Sequence, residues 1–167
     1  MSRLQTPAFR VPDWSEILDS PDRLRRVMNF WPPFWFAGIR IVDIAPDWSA
    51  AKVRLKLNLM TRNYVGTQFG GSLFSMTDPF WMILVMHRLG PDYVVWDKRA
   101  EIEFLRPGKT HVQTEFVVDP AVVHELRDAA DQGEKVLRWF ENDIVDTSGQ
   151  VVARVRRQLY VRRRQAG

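Results

Sequence analysis

The sequence predicts an α+β domain in which a curved antiparallel sheet wraps around one central helix, with a further helix before it. Three observations carry this. A stretch from Gly70 to Leu89 is apolar on nearly every side and must be buried. Residues 51 to 59 alternate strictly between apolar and polar side chains, the pattern of a half-buried strand. Four more strand-like runs follow the apolar stretch, and a single sheet that covers the helix is the simplest way to bury it.

The elements can be justified in order. Ser20, Pro21 and Asp22 read as an N-cap, a first-turn proline and an acid suited to the helix dipole. Leu24, Val27, Met28 and Trp31 follow at helical spacing, so residues 21–31 are expected to be an amphipathic helix ended by Pro32 and Pro33. The aromatic run Phe34, Trp35, Phe36 suits core packing or the wall of a pocket. A strand is expected over Gly38 to Ile44 and a turn at Pro46-Asp47. Over residues 51–59, Ala51, Val53, Leu55, Leu57 and Leu59 share one face.

After the apolar helix, Trp96, Lys98, Ala100, Ile102 and Phe104 are expected to share one face of a strand ending at Pro107-Gly108. His111 to Val118 reads as a strand, and Pro120 to Gln132 as a short amphipathic helix stopped by Gly133. Val136–Val145 and Val151–Arg162 read as a hairpin turning at Thr147-Ser148-Gly149. Residues 1–37 are then an N-terminal helical extension and 38–163 the main domain. The sheet's edge strands need cover, so a homodimer, or a dimer of such dimers, is expected.

Composition narrows the function. The chain has 167 residues, 46% hydrophobic and 26% charged, the size and balance of one globular domain. It has no cysteine, which excludes a disulfide framework, a thiol nucleophile and thiolate metal sites. The N-terminal residues lack a secretory pattern, and Phe69–Met86 is too polar and interrupted for a membrane span. A cytoplasmic protein without membrane insertion is expected. The net charge is +4 and the pI about 9.8. Much of the excess lies in Arg154, Arg156, Arg157, Arg162, Arg163 and Arg164, which reads first as a solvated strand and tail. His87, His111 and His124 lack ligand spacing, so no metal is expected. There is no nucleophile elbow and no phosphate-binding loop with lysine.

The chemistry is expected between Asn63 and Asp78. A Gly-Gly pair entering a helix allows a ligand close to the backbone, and the helix's first turn has unpaired N–H groups and a positive dipole end. Such a turn can polarise a thioester carbonyl and hold its oxyanion. Asp78, among Phe74, Met76, Trp81 and Met82, is costly to bury unless paired or protonated, which marks it as a functional candidate. Plainer readings stand beside these. Asp78-Pro79 also fits an N-cap and first-turn proline, with the helix starting at Pro79. Asn63 also fits a turn, the glycines also fit close packing, and Arg106 at a strand end also fits simple exposure.

The segment resembles the central-helix motif of hotdog-fold thioesterases, in particular the phenylacetic-acid-pathway branch and the group called DUF4442. The match rests on Asn63, Gly66, Gly70, Gly71 and Asp78, and on Ile102-Glu103-Phe104-Leu105-Arg106-Pro107-Gly108. The resemblance implies hydrolysis of an acyl-CoA or related thioester, with CoA as part of the substrate and no separate cofactor. It implies that Asp78 activates water or attacks directly, that the Gly71 amide meets the oxyanion, and that Asn63 orients water or the carbonyl. Gly70, Phe69 and Thr67 would line the substrate, and Lys98 or Arg106 would meet pantetheine or the CoA phosphates. Phe69 departs from the pattern, since many relatives have a histidine just before Gly-Gly. That departure favours a rival reading, a non-catalytic acyl-CoA or fatty-acyl binding protein. A third reading is a basic protein-interaction or nucleic-acid module that shares only the fold, although a small-molecule partner and no nucleic acid are expected.

Overall fold

A computed structural model describes residues 20–164. Two short helices, α1 (Pro21–Phe30) and α2 (Pro32–Ala37), precede strands β1 (Ile39–Ile44) and β2 (Ala50–Leu55). Next come helices α3 (Gly70–Ser75) and α4 (Phe80–Leu89), then β3 (Tyr93–Phe104), β4 (Val112–Val117), α5 (Pro120–Asp131), β5 (Val136–Asp146) and β6 (Val151–Arg163). The strands form one sheet in the order β1-β2-β4-β5-β6-β3, with every neighbouring pair antiparallel.

Ser20 caps α1 through a hydrogen bond from the Arg23 amide, and Pro21 fills the first position, where no N–H is needed. Pro32 and Pro33 end α1 as expected, but they also begin α2, occupying the one helical turn that tolerates proline. Gly38 closes α2 in the left-handed region at φ 76°. A β-carbon there would meet Thr61 Cγ2 at 2.6 Å. The Asn29 side chain donates to the Ile41 carbonyl and accepts from its amide, tying α1 to β1. Leu24, Met28 and Phe34 join the same core as the sheet.

That core lies between the sheet and α4. Phe80 and Trp81 on α4 pack against Phe116 at 5.1 and 5.4 Å between ring centroids, and Trp81 also meets Phe140 at 4.7 Å. A buried polar chain fixes the register: Trp81 Nε1 donates to Asn142 Oδ1 at 2.9 Å, and Asn142 Nδ2 donates to Thr114 Oγ1 at 2.6 Å. Each group in that chain is paired, so it specifies one packing without an unsatisfied polar atom.

Three sequence expectations need correction. The apolar stretch is two helices: it breaks over Met76–Pro79, because Pro79 has no N–H to continue the ladder and α4 begins only at Phe80. The Asp78–Pro79 peptide is cis. Strand β2 ends at Leu55, and Leu59 is 78% exposed, so the apolar alternation outruns the strand. Strand β3 carries a bulge between Asp97 and Arg99 that leaves Lys98 as the extra residue. Trp96 pairs with Tyr160 on the outer face, stacked at 4.3 Å, whereas Ala100 and Ile102 lie across from Arg157 and Val155 on the inner face. The single face expected for Trp96 through Phe104 is therefore split.

Candidate functional site

The segment before α3 is built by Asn63. Its Oδ1 accepts from the Val65 and Thr67 amides, and its Nδ2 donates to Thr67 Oγ1 at 2.9 Å and to the Gln68 carbonyl at 3.2 Å. The Asn63 amide also donates to the Thr67 carbonyl at 2.7 Å. The side chain thus holds a turn and spends both donors within it.

Gln68 anchors the same loop from below. It is buried, with Nε2 donating to the Thr110 carbonyl at 2.9 Å and toward the Leu55 carbonyl at 3.4 Å. Its Oε1 is buried without a hydrogen-bond partner. The two carbonyls fix which end of the amide carries the nitrogen, so Oε1 is left as the free acceptor.

Helix α3 starts at Gly70, with Phe69 as its N-cap residue. The Ser72 and Leu73 amides donate to the Phe69 carbonyl. Among the described residues, the Gly70 and Gly71 amides donate to no protein acceptor. Gly71 sits in the first turn, as expected, and the Phe69 ring lies over it. Gly70 lies against the Phe104 ring, which a β-carbon would approach to 3.0 Å. In front of this turn is an open cleft of about 410 Å³ lined by Asn63, Thr67, Gln68, Gly70, Phe104 and Arg106. Arg106 is exposed and donates to Gln150 Oε1 at 2.9 Å.

The other end of α3 holds a second constellation. Arg157 on β6 is 3% exposed. Its Nε and Nη2 each donate to Thr77 Oγ1 at 3.2 Å, and Nη2 reaches the Phe74 carbonyl at 3.4 Å, so the guanidinium satisfies groups freed by the helix break. The cation also lies over the Phe74 ring, 5.1 Å from its centroid. Its Nη1 is 3.7 Å from Asp78 Oδ1 and 3.7 Å from Asp97 Oδ1. One buried cation is therefore shared by two carboxylates.

These carboxylates differ. Asp78 is 57% exposed in its side chain, so it is not buried among the apolar residues around it. Nor does it cap α4, whose N-cap position is Pro79 with no side-chain cap bond. Asp97 is 22% exposed, and its Oδ1 is buried with no hydrogen-bond partner. Burial pushes its carboxyl above the usual range, Arg157 opposes that shift, and the charge of Asp78 adds to it.

The structure thus gathers Asn63, Thr67, Gly70 and Arg106 around one cleft, with Phe69 and Gly71 beside it. It leaves Asp78 three residues beyond the end of this six-residue helix, which is itself roughly 9 Å long. Lys98 is the exposed bulge residue of β3. Sequence reasoning missed Asp97 and Arg157. Arg157 had a signal: Val155, Leu159 and Val161 alternate with it on the buried face, so a charge occupies an apolar register. Asp97 had a divided one: it shares the register of buried Tyr93 and Val95, whereas alternation from Ala100 and Ile102 places it outward, and the bulge between the two stretches decides.

Residues 23–161 match the model of a family described as a domain of unknown function, DUF4442. No curated protein matches the sequence. Among solved structures, a protein of unknown function from Pseudomonas aeruginosa, a probable thioesterase, is similar with a TM-score of 0.76 and 21% identity, over 86% of this chain and 97% of that one. A thioesterase from Haemophilus influenzae is similar with a TM-score of 0.62 and 13% identity, over 86% and 91% of the two chains. A phenylacetic acid degradation protein from Thermus thermophilus is similar with a TM-score of 0.54 and 18% identity, over 77% and 97%. At these identities the likeness shows the fold, a hotdog: a curved antiparallel sheet around a central helical segment.

Proposed function

The chain belongs to the DUF4442 family, and from that premise we propose that it hydrolyses the thioester of an acyl-CoA or a related acyl thioester. One observation carries the reading. Helix α3 presents unpartnered Gly70 and Gly71 amides beside an open cleft at its start and the carboxylate of Asp78 just beyond its end. The Gly71 amide receives the oxyanion, and Asp78 takes the proton from the attacking water.

Gly71 and Asp78 stand at opposite ends of a helix roughly 9 Å long, so one chain does not bring both to the same thioester carbon. A homodimer resolves this, with the amides from one protomer and Asp78 from its partner. The free edge of β3 supports such pairing, since a twelve-residue edge strand left bare is a liability. Thr67, Gly70, Phe69 and Arg106 border the acyl or pantetheine arm, and Lys98 meets the CoA phosphates. Asn63 acts by shaping the loop that frames the cleft. CoA enters as substrate with no separate cofactor, which suits a cytoplasmic protein. Among the described residues, no helix is long and apolar enough to cross a membrane.

A second reading, acyl-CoA binding without turnover, is favoured by the Phe69 ring over Gly71. Steady-state hydrolysis of an acyl-CoA panel by wild type and Asp78→Asn, with calorimetric binding of the same esters, separates the two. Turnover lost in Asp78→Asn with binding kept supports hydrolysis. Equal inactivity of both proteins with binding intact establishes the binding role instead.

A further inference from the structure

The shared arginine gives the site a second acid, an inference that rests on the hydrolase reading above. We propose that Asp97 is a catalytic residue that holds a proton across Arg157 from Asp78 and delivers it to the departing thiolate. The geometry carries this. Arg157 uses Nε and Nη2 on Thr77 and Phe74 and turns Nη1 to both carboxylates at the same 3.7 Å. One cation stands between two carboxylates, and a proton held on one of them relieves the repulsion that the single cation leaves. The more buried partner is the better place for it: Asp97 is 22% exposed against 57% for Asp78. The buried Oδ1 of Asp97 has no hydrogen-bond partner, which is less costly for a neutral carboxyl than for a carboxylate. Arg157 from β6 and Asp78 from the helix break are the charged groups that face it.

The proton inventory closes. Asp78 takes a proton from water as the water oxygen bonds to the thioester carbon. The tetrahedral intermediate collapses, the carbon–sulfur bond breaks with its electron pair leaving on sulfur, and the Asp97 proton passes to that sulfur. The acid and the free thiol leave. The pair then holds its one proton on Asp78, and transfer to Asp97 through solvent restores the starting state. Asp97 keeps 22% of its side-chain surface exposed, so it is not sealed from solvent. The design separates the two proton tasks between two carboxyls in different surroundings.

The test compares two leaving groups in the full-length protein. An alkyl thiolate such as that of CoA leaves poorly unprotonated, whereas an aryl thiolate of low pKa needs no proton. Wild type, Asp97→Asn and Asp97→Glu are assayed on an acyl-CoA and on the matching S-(4-nitrophenyl) thioester, with thermal melts as the folding control. Asp97→Asn is expected to lose roughly a hundredfold in kcat on the CoA ester and to stay within about threefold of wild type on the aryl ester. Asp97→Glu is expected to recover part of the CoA-ester rate. Equal losses on both esters, or no loss on either, overturn the assignment while leaving hydrolysis standing. A wild type inert on both esters removes the hydrolase reading, and this assignment with it.

Discussion

Phe69 lays its ring against Gly71 so closely that a β-carbon on Gly71 would stand 2.5 Å from Phe69 Cε1 and 2.9 Å from Cζ. Phe69 is 55% exposed, and the absence of a side chain on Gly71 is what leaves room for its ring there.

Gly71→Ala should therefore push the ring aside at a cost of about 1 kcal/mol. In a Phe69→Ala background the same substitution meets no ring, and alanine gains up to ~1 kcal/mol over glycine in the helix. A double-mutant cycle by urea denaturation should return a coupling of about 1 kcal/mol or more between the two positions. A cycle that closes at zero means the ring does not rest on Gly71 in solution.

Arg157 has a larger structural weight. Its replacement by Met keeps the apolar stem and removes the cation. That leaves Thr77 Oγ1 without its guanidinium donors, and Asp78 and Asp97 without the cation they share. The expected loss is about 3 kcal/mol at neutral pH. Adding Asp97→Asn leaves Asp78 as the one carboxyl beside the lost cation and should restore a part of it. A double variant no more stable than Arg157→Met would show that Asp97 and Arg157 do not interact.

Much of this fold is legible in the sequence, and the exceptions have local causes. The hairpin of β5 and β6, the helix after Asp119-Pro120 and the strand over Ile39–Ile44 follow from alternation, capping and turn residues that agree with one another. The helix break at Met76–Pro79 was half visible, since Pro79 announces it, but the apolar run on both sides masked where one helix ends. The contact of Arg157 with Asp97 was hidden for two reasons. A bulge changes the parity within β3, so alternation from Ala100 and Ile102 puts Asp97 on the outer face. Arg157 lay inside an arginine-rich segment, and its neighbours Arg154 and Arg156 do pair with exposed acids.

Gln68 should behave as a structural latch. Gln68→Leu keeps the volume but strips the donor from the Thr110 and Leu55 carbonyls, at a cost of roughly 2 kcal/mol. Gln68→Glu sets a carboxylate against those carbonyls and should be less stable still at pH 7. Acidification protonates it and restores a donor. The stability gap between the two variants should therefore narrow below about pH 5, as followed by thermal melts. A pH-independent gap would mean the side chain had swung out to solvent.

Asp97 makes the closing case, because its shift has the opposite sign to those of Asp22, Asp47 and Asp146. Burial raises its pKa above the ordinary 3.8, with Arg157 opposing the shift and Asp78 reinforcing it. The native state thus binds this proton more tightly than the unfolded chain. The stability it contributes is fully present below the unfolded value, and it is lost as pH rises through the raised native value. Asp22, Asp47 and Asp146 are held low by their hydrogen bonds and work the other way, so wild-type stability alone would obscure the effect. The difference between Asp97→Asn and wild type removes those shared contributions. The variant should match wild type near pH 3, gain on it as pH rises above about 3.8, and hold a constant advantage once the native carboxyl has ionised. Chemical denaturation across that range measures the difference directly, and a variant less stable than wild type at pH 7 would show that ionised Asp97 is favoured by the fold. An advantage in stability joined to a loss of turnover on the CoA ester is the pattern expected of a residue kept for chemistry at the expense of the fold.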